Sequence, residues 1–212
     1  MTEWLEAVAA YWASGGWLLV PIAAVSFAIF AYGLRLRERL NRWTVSAQDA
    51  ERRLDAWFNG ATASPDFVDI MLGSREMIAR QVGQVLRDAR DGREARRLLH
   101  RVTDWTQGAV KRDLFILKAL TAAAPLLGLL GTVTGMVGTF MAVSRHHADG
   151  AAMVAQGVST ALITTQFGLV AALPGVFGLL HLGRLRVRLH SALHAIGIML
   201  YVAHEDHLTR IT

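Results

Sequence analysis

Hydroxyl groups set into two uncharged, apolar stretches are the residues best placed to do chemistry in this chain. The first stretch, AAAPLLGLLGTVTGMVGTF from Ala122 to Phe140, carries Thr132, Thr134 and Thr139. The second, GVSTALITTQFGLVAALPG from Gly157 to Gly175, carries Ser159, Thr160, Thr164, Thr165 and Gln166. A hydroxyl both donates and accepts hydrogen bonds, so a row of them can order water that relays protons while carrying no charge itself. Polar side chains at membrane depth need partners, which turns them toward other helices or a hydrated path and away from lipid. Thr132 and Thr139 on one helix, with Thr160, Thr164 and Thr165 on another, are the candidates for lining such a path. The plainer reading is that serine and threonine in membrane helices bond back to a carbonyl one turn earlier and fill space.

The same stretches carry small residues at helical spacing. Gly128, Thr132, Gly135 and Thr139 fall on one stripe, with Gly131, Thr134 and Gly138 beside it, and Gly131 with Gly135 makes a GxxxG. Small residues let helix backbones approach closely in lipid, where the hydrophobic effect gives no drive between helices. Gly128, Gly131, Gly135 and Gly138, with Gly168 and Gly175 of the second stretch, are therefore candidates for helix packing, and Pro125 and Pro174 for kinks.

Positioning these residues requires membrane-spanning helices. The chain of 212 residues is 53% hydrophobic and 18% charged, with mean hydropathy +0.33, and its apolar residues come in blocks. That pattern describes an all-α integral membrane protein. Residues 15–34 form an uncharged run long enough to cross about 30 Å of hydrocarbon, the first transmembrane helix. Arg35, Arg37, Arg39 and Arg42 follow it, so by the positive-inside rule this end is cytoplasmic and the N-terminus outside. The second and third spans are 118–144 and 157–183, joined by a periplasmic loop at 145–156, and Arg184, Arg186 and Arg188 mark the return to the cytoplasm. Three spans, N-out and C-in, fit every charge cluster.

Before the first span, residues 1–14 place Trp4, Leu5, Val8, Tyr11 and Trp12 at helical intervals and read as an interfacial helix. A secretory signal peptide would need basic residues there, and none precedes Arg35. Between the spans, 35–117 reads as a helical cytoplasmic domain into which the long helices extend. Gly60 ends one segment, Ser64 and Pro65 open a short helix that Gly73 ends, and Ser74 caps another whose apolar face is Met77, Ile78, Val82, Val85, Leu86 and Ala89. The tail 184–212 continues the third span as an amphipathic cytoplasmic helix with Leu189, Leu193, Ile196 and Leu200 on one face.

The formal net charge of +5 comes from arginines beside the apolar blocks, so anionic lipids are the expected partner and nucleic acid is not. With no cysteine, disulfide and thiolate chemistry are excluded. His146 and His147 lack spaced companion ligands, and His204 to His207 read HEDH, not the HExxH zinc motif, so no metal is expected. No cofactor fingerprint and no set of nucleophile, base and oxyanion donors is present, which points away from an enzyme.

Together, APLLGLLGTVTGM (Ala124 to Met136) and ALITTQFGLVAALPG (Ala161 to Gly175) resemble the ExbB/TolQ/MotA family of bacterial inner-membrane motor proteins, most closely its ExbB and TolQ branch. The resemblance covers the C-terminal half well and the N-terminal half by topology. It implies a homo-oligomer, a pentameric collar in the inner membrane. The collar encloses single-span ExbD-like or TolR-like partners, each with an essential membrane aspartate. Proton flow would work through that aspartate and pass mechanical work to a TonB-like protein for outer-membrane transport. It also places Thr132 and Thr165 where the family's ion-path threonines lie. One departure stands out: where much of the branch has a glutamate early in the third span, this chain has Thr160. Between Leu114 and Leu189 its one carboxylate is Asp149, in the outside loop. Three outcomes stay open: an ExbB-like motor subunit whose partner supplies the titrating acid, a TolQ-like or motility motor, and a non-conducting scaffold. Proton or sodium use stays open as well.

Overall fold

The computed structural model describes residues 16–58, 67–89, 91–145 and 150–209, and they form five helices with no strand among them. These are α1 (Leu19–Phe58), α2 (Phe67–Gly73), α3 (Met77–Asp88), α4 (Gly92–Arg145) and α5 (Gly150–Thr209). Among the described residues, three helices, α1, α4 and α5, are long and apolar enough to cross a membrane. Their 40, 54 and 60 residues exceed a span of about 20 residues at least twofold. The interfacial helix expected at 1–14, the Gly60 and Ser64–Pro65 signals, and His146, His147 and Asp149 lie outside the described residues, as do the side chains of His204 and His207.

Local sequence accounts for the helix ends. Gly16, at φ 72°, takes the left-handed conformation that costs glycine least, and its carbonyl accepts from the Leu19 amide at 3.2 Å as α1 begins. Pro21 sits in the first turn, where its missing N–H removes no helical bond. At α4 the Asp91 carboxylate accepts from the Glu94 amide at 2.6 Å, an N-cap bond just before Gly92.

Two expectations are revised here. Ser74 does not cap α3: the N-cap position is Glu76, without a side-chain cap, and Ser74 Oγ instead accepts from the Glu76 amide at 3.2 Å in the preceding turn. The connection expected at 145–156 is shorter, because α5 already begins at Gly150.

The chain divides into two compact units. The first comprises Met1–Leu34 and Phe115–Leu179. Its core draws Leu18, Leu19, Ile22 and Ile29 from the α1 region, Leu117 and Ala124 from α4, and Ala161, Ile163, Ala171 and Ala172 from α5. Large apolar side chains such as Phe27, Leu129, Phe140, Leu162, Leu173 and Phe177 are more than half exposed. An exposed apolar coat of this kind is the inverse of a water-soluble bundle's surface and suits lipid as the solvent.

The second unit comprises Arg35–Leu114 and Leu180–Thr212, and its core has the water-soluble pattern. Leu36, Leu40, Ala47, Ala50 and Leu54 of α1 are buried at helical spacing, as are Leu182, Leu185, Leu189, Leu193, Ile196 and Leu200 of α5. In this unit α2 sits on α3 where Gly83 leaves room: a Cβ there would lie 2.9 Å from the Cβ of Met71. Thr44, buried, donates to the carbonyl of Leu40 at 2.8 Å and reaches that of Leu185 at 3.5 Å. Arg39 pairs with the buried Asp113 and lies 4.8 Å from the ring centroid of Trp43, which neighbours Trp105 at 6.1 Å.

Candidate functional site

Both hydroxyl-bearing stretches lie in the first unit, on α4 and α5, and they meet along a ladder of small residues. Gly157 faces Thr139, Ala161 faces Gly135, Thr164 faces Gly131, Gly168 faces Gly128, and Gly175 faces Thr121. Each step forward on α5 is matched by an equal or nearly equal step back on α4, which defines an antiparallel register. At the Gly128–Gly168 rung no side chain stands between the helices. A Cβ on Gly168 would lie 2.8 Å from the carbonyl oxygen of Ala124 and 2.9 Å from Cα of Gly128, so backbone meets backbone. Only glycine at both positions permits that distance.

The ladder sorts the sequence candidates. Gly128, Gly131, Gly135, Gly168 and Gly175 each face an atom of another helix within 4 Å, whereas a Cβ on Gly138 would meet nothing within 4 Å in this chain. Thr139 and Thr164 are sealed in the seam at 5% and 1% exposure, and each donates to its own helix, to Gly135 at 2.8 Å and Ala161 at 2.9 Å. Thr132, Thr160 and Thr165 remain partly accessible. Pro125 and Pro174 lie inside the continuous helices α4 and α5, and each removes the amide donor for the carbonyl four residues earlier, at Thr121 and Val170.

The hydroxyl of Thr165 crosses between the helices, donating to the carbonyl of Gly128 at 3.3 Å. In an α-helix that carbonyl is also the acceptor for the backbone N–H of Thr132, four residues on. One carbonyl thus ties Thr132 and Thr165 together. The Thr132 hydroxyl donates to the carbonyl of Leu129 at 2.7 Å, and that of Thr160 to Gln156 at 3.1 Å. With their protons committed to backbone carbonyls, Thr132 and Thr165 present oxygen lone pairs, which accept hydrogen bonds from water or from a protonated acid. An ionised carboxylate, which only accepts, finds no donor in these two hydroxyls as they are bonded here.

Sequence reasoning missed Thr121 and Gly157. Thr121 is buried at 6%, donates to Leu117 at 2.8 Å and fills the space opposite Gly175. Both were signalled by a repeat of small residues, Thr121, Ala124, Gly128, Gly131, Gly135 and Thr139 on α4 against Gly157, Ala161, Thr164, Gly168 and Gly175 on α5.

The profile of the MotA/TolQ/ExbB proton channel family matches residues 71–194, more than half of the chain. The biopolymer transport protein ExbB of Pseudomonas putida is 39% identical over 61 residues, 29% of this chain and 18% of that protein. ExbB of Salmonella typhimurium is 40% identical over 60 residues, covering 28% of this chain and 25% of its own length. The Tol-Pal system protein TolQ of Haemophilus influenzae is 43% identical over 60 residues, 28% of this chain and 26% of its own. The matched stretch thus spans about a quarter or less of these curated relatives.

Proposed function

From the premise that the chain belongs to the MotA/TolQ/ExbB proton channel family, we propose that it is an ExbB-like stator subunit of a motor in the bacterial inner membrane, driven by the proton-motive force. In this reading five copies form a collar, N-terminus outside and C-terminus in the cytoplasm, around single-span ExbD-like or TolR-like helices. The collar and its partner energise a TonB-like protein for outer-membrane transport.

The observation that carries the mechanism is the Gly128 carbonyl shared by the Thr165 hydroxyl and the Thr132 amide. It holds two acceptor oxygens at the edge of the α4–α5 seam. A partner aspartate is a hydrogen-bond donor when protonated and an acceptor when ionised. Thr132 and Thr165 therefore receive it in the neutral form and release it when it loses its proton, which gives a protonation-dependent grip to a chain with no carboxylate between Leu114 and Leu189 other than Asp149. The titrating group is then the partner's.

Native mass spectrometry of the protein, purified in mild detergent from cells that also express an ExbD-like protein, tests this reading. A five-copy ring retaining the small partner is expected. A ring or dimer that never retains it would count against a motor.

A second reading, a non-conducting scaffold, draws support from the hydroxyls of Thr134, Thr139, Thr160 and Thr164, which each bond to a carbonyl of their own helix. A TolQ-like output shares the motor mechanism, and the identity of the retained partner separates it from an ExbB-like one.

A further inference from the structure

We propose that the second unit carries a binding site for a phosphate group, in an open pocket of about 400 Å³ lined by Arg39, Arg42, Trp43, Ser46, Arg75 and Glu76. Two polar atoms of this lining set are buried without a hydrogen-bond partner, Nε of Arg39 and Oγ of Ser46, and Ser46 as a whole is only 3% exposed. Buried polar groups are almost always paired, with protein or with ordered water, so two unpaired donors in one pocket wall call for a partner that the protein itself does not supply. Both can donate a proton, and since neither atom is itself open to solvent, an oxyanion seated on the wall engages them as the two side chains turn toward it.

The charge balance favours phosphate. Among the described residues Arg42 and Arg75 form no ion pair, while Arg39 is neutralised by Asp113. Set against Glu76, the lining carries a net formal charge of about +1, which attracts an anion. Guanidinium groups present planar forks of N–H donors that fit tetrahedral oxyanions in bidentate fashion, and two unengaged forks can clamp one phosphate. Glu76 gives the site a polarity of its own: it accepts from hydroxyls beside the phosphate, such as those of a glycerol or sugar moiety.

The phosphate has two possible sources. Arg39 and Arg42 follow directly on the apolar run that ends at Leu34, which suits the headgroup of an anionic phospholipid, and the open mouth also suits a soluble phosphate ester. The site does not depend on the motor reading.

The experiment has two arms, each run on the full chain in mild detergent. In the first, native mass spectrometry counts phosphatidylglycerol molecules retained after addition of that lipid. In the second, titration calorimetry follows binding of glycerol 3-phosphate. Wild type is compared with Arg42→Gln/Arg75→Gln, with Ser46→Ala, and with Arg97→Gln as a control elsewhere in the same unit. Arg42 and Arg75 are exposed, so their glutamines leave the fold intact, which circular dichroism checks. Retention of phosphatidylglycerol that falls at least fivefold in the double variant and about threefold in Ser46→Ala, with the control unchanged, assigns a lipid headgroup. A saturable calorimetric signal lost in the same variants assigns a soluble phosphate ester. Indistinguishable behaviour of wild type and the double variant in both arms overturns the site, and so does Ser46→Ala binding as tightly as wild type.

Discussion

Thr132 and Thr165 differ from the other hydroxyls in being joined through the Gly128 carbonyl while remaining reachable. Replacing either by valine preserves the branched shape and removes the oxygen. Thr165→Val is expected to lower partner-dependent uptake through a TonB-dependent receptor at least tenfold with the oligomer intact, while Thr165→Ser retains most of it. Uptake assays on cells carrying each variant, with oligomer size read by native gel, check this. Thr164→Val, at a position 1% exposed and bonded within its own helix, is expected to change uptake less than twofold. The sequence alone set Thr132 in the middle of a stripe with Gly128, Gly135 and Thr139. The structure puts Gly131 in the seam between Gly128 and Gly135, with Thr132 at its edge. The physical reason is that 3.6 residues per turn makes i+3 and i+4 nearly equivalent neighbours. Which of them enters the seam is decided by the facing helix, and the α4 sequence alone does not contain that information.

At the scale of the element, the α4–α5 ladder makes two opposite expectations for the same change. Gly168→Ala forces a methyl against the Ala124 carbonyl and Gly128 Cα, both backbone and unable to rotate away. Overpacking of this kind costs about 1–3 kcal/mol, so the thermal midpoint in detergent is expected to fall by several degrees. Gly138→Ala meets nothing within 4 Å, so in the isolated chain it should be neutral or slightly stabilising, because alanine is the better helix former. A drop for Gly138→Ala confined to the assembled oligomer would report that Gly138 packs against a neighbouring copy. Thermal unfolding followed by tryptophan fluorescence distinguishes these cases. In the second unit, Asp113→Ala leaves Arg39 without its ion-pair partner, and with Arg39 partly solvated the expected loss is about 1–2 kcal/mol. Arg39→Met added to Asp113→Ala should recover part of it.

Across the whole molecule, the all-α architecture with three apolar helices was legible because uncharged runs of about 20 residues stand beside clusters of arginine. The continuity of α4 and α5 was legible too, since apolar residues keep helical spacing from the spans into the polar segments, as with Leu182, Leu185, Leu189, Leu193, Ile196 and Leu200. Less legible were details set by contacts distant in sequence. Gly83 reads as a helix-weakening residue until α2 is seen resting on it, and Arg39 reads as one of four flanking arginines until it meets Asp113 on another helix. The reading of the molecule as a proton-driven stator rests on family membership together with the acceptor oxygens of Thr132 and Thr165.

The most direct test of that reading is proton uptake into liposomes holding this chain together with an ExbD-like protein, under an imposed membrane potential. Wild type should conduct, and Thr132→Val/Thr165→Val should reduce the flux at least tenfold while native mass spectrometry shows the same subunit count. A double variant that conducts like wild type, or a wild-type complex that holds its partner and passes no protons, would contradict the account.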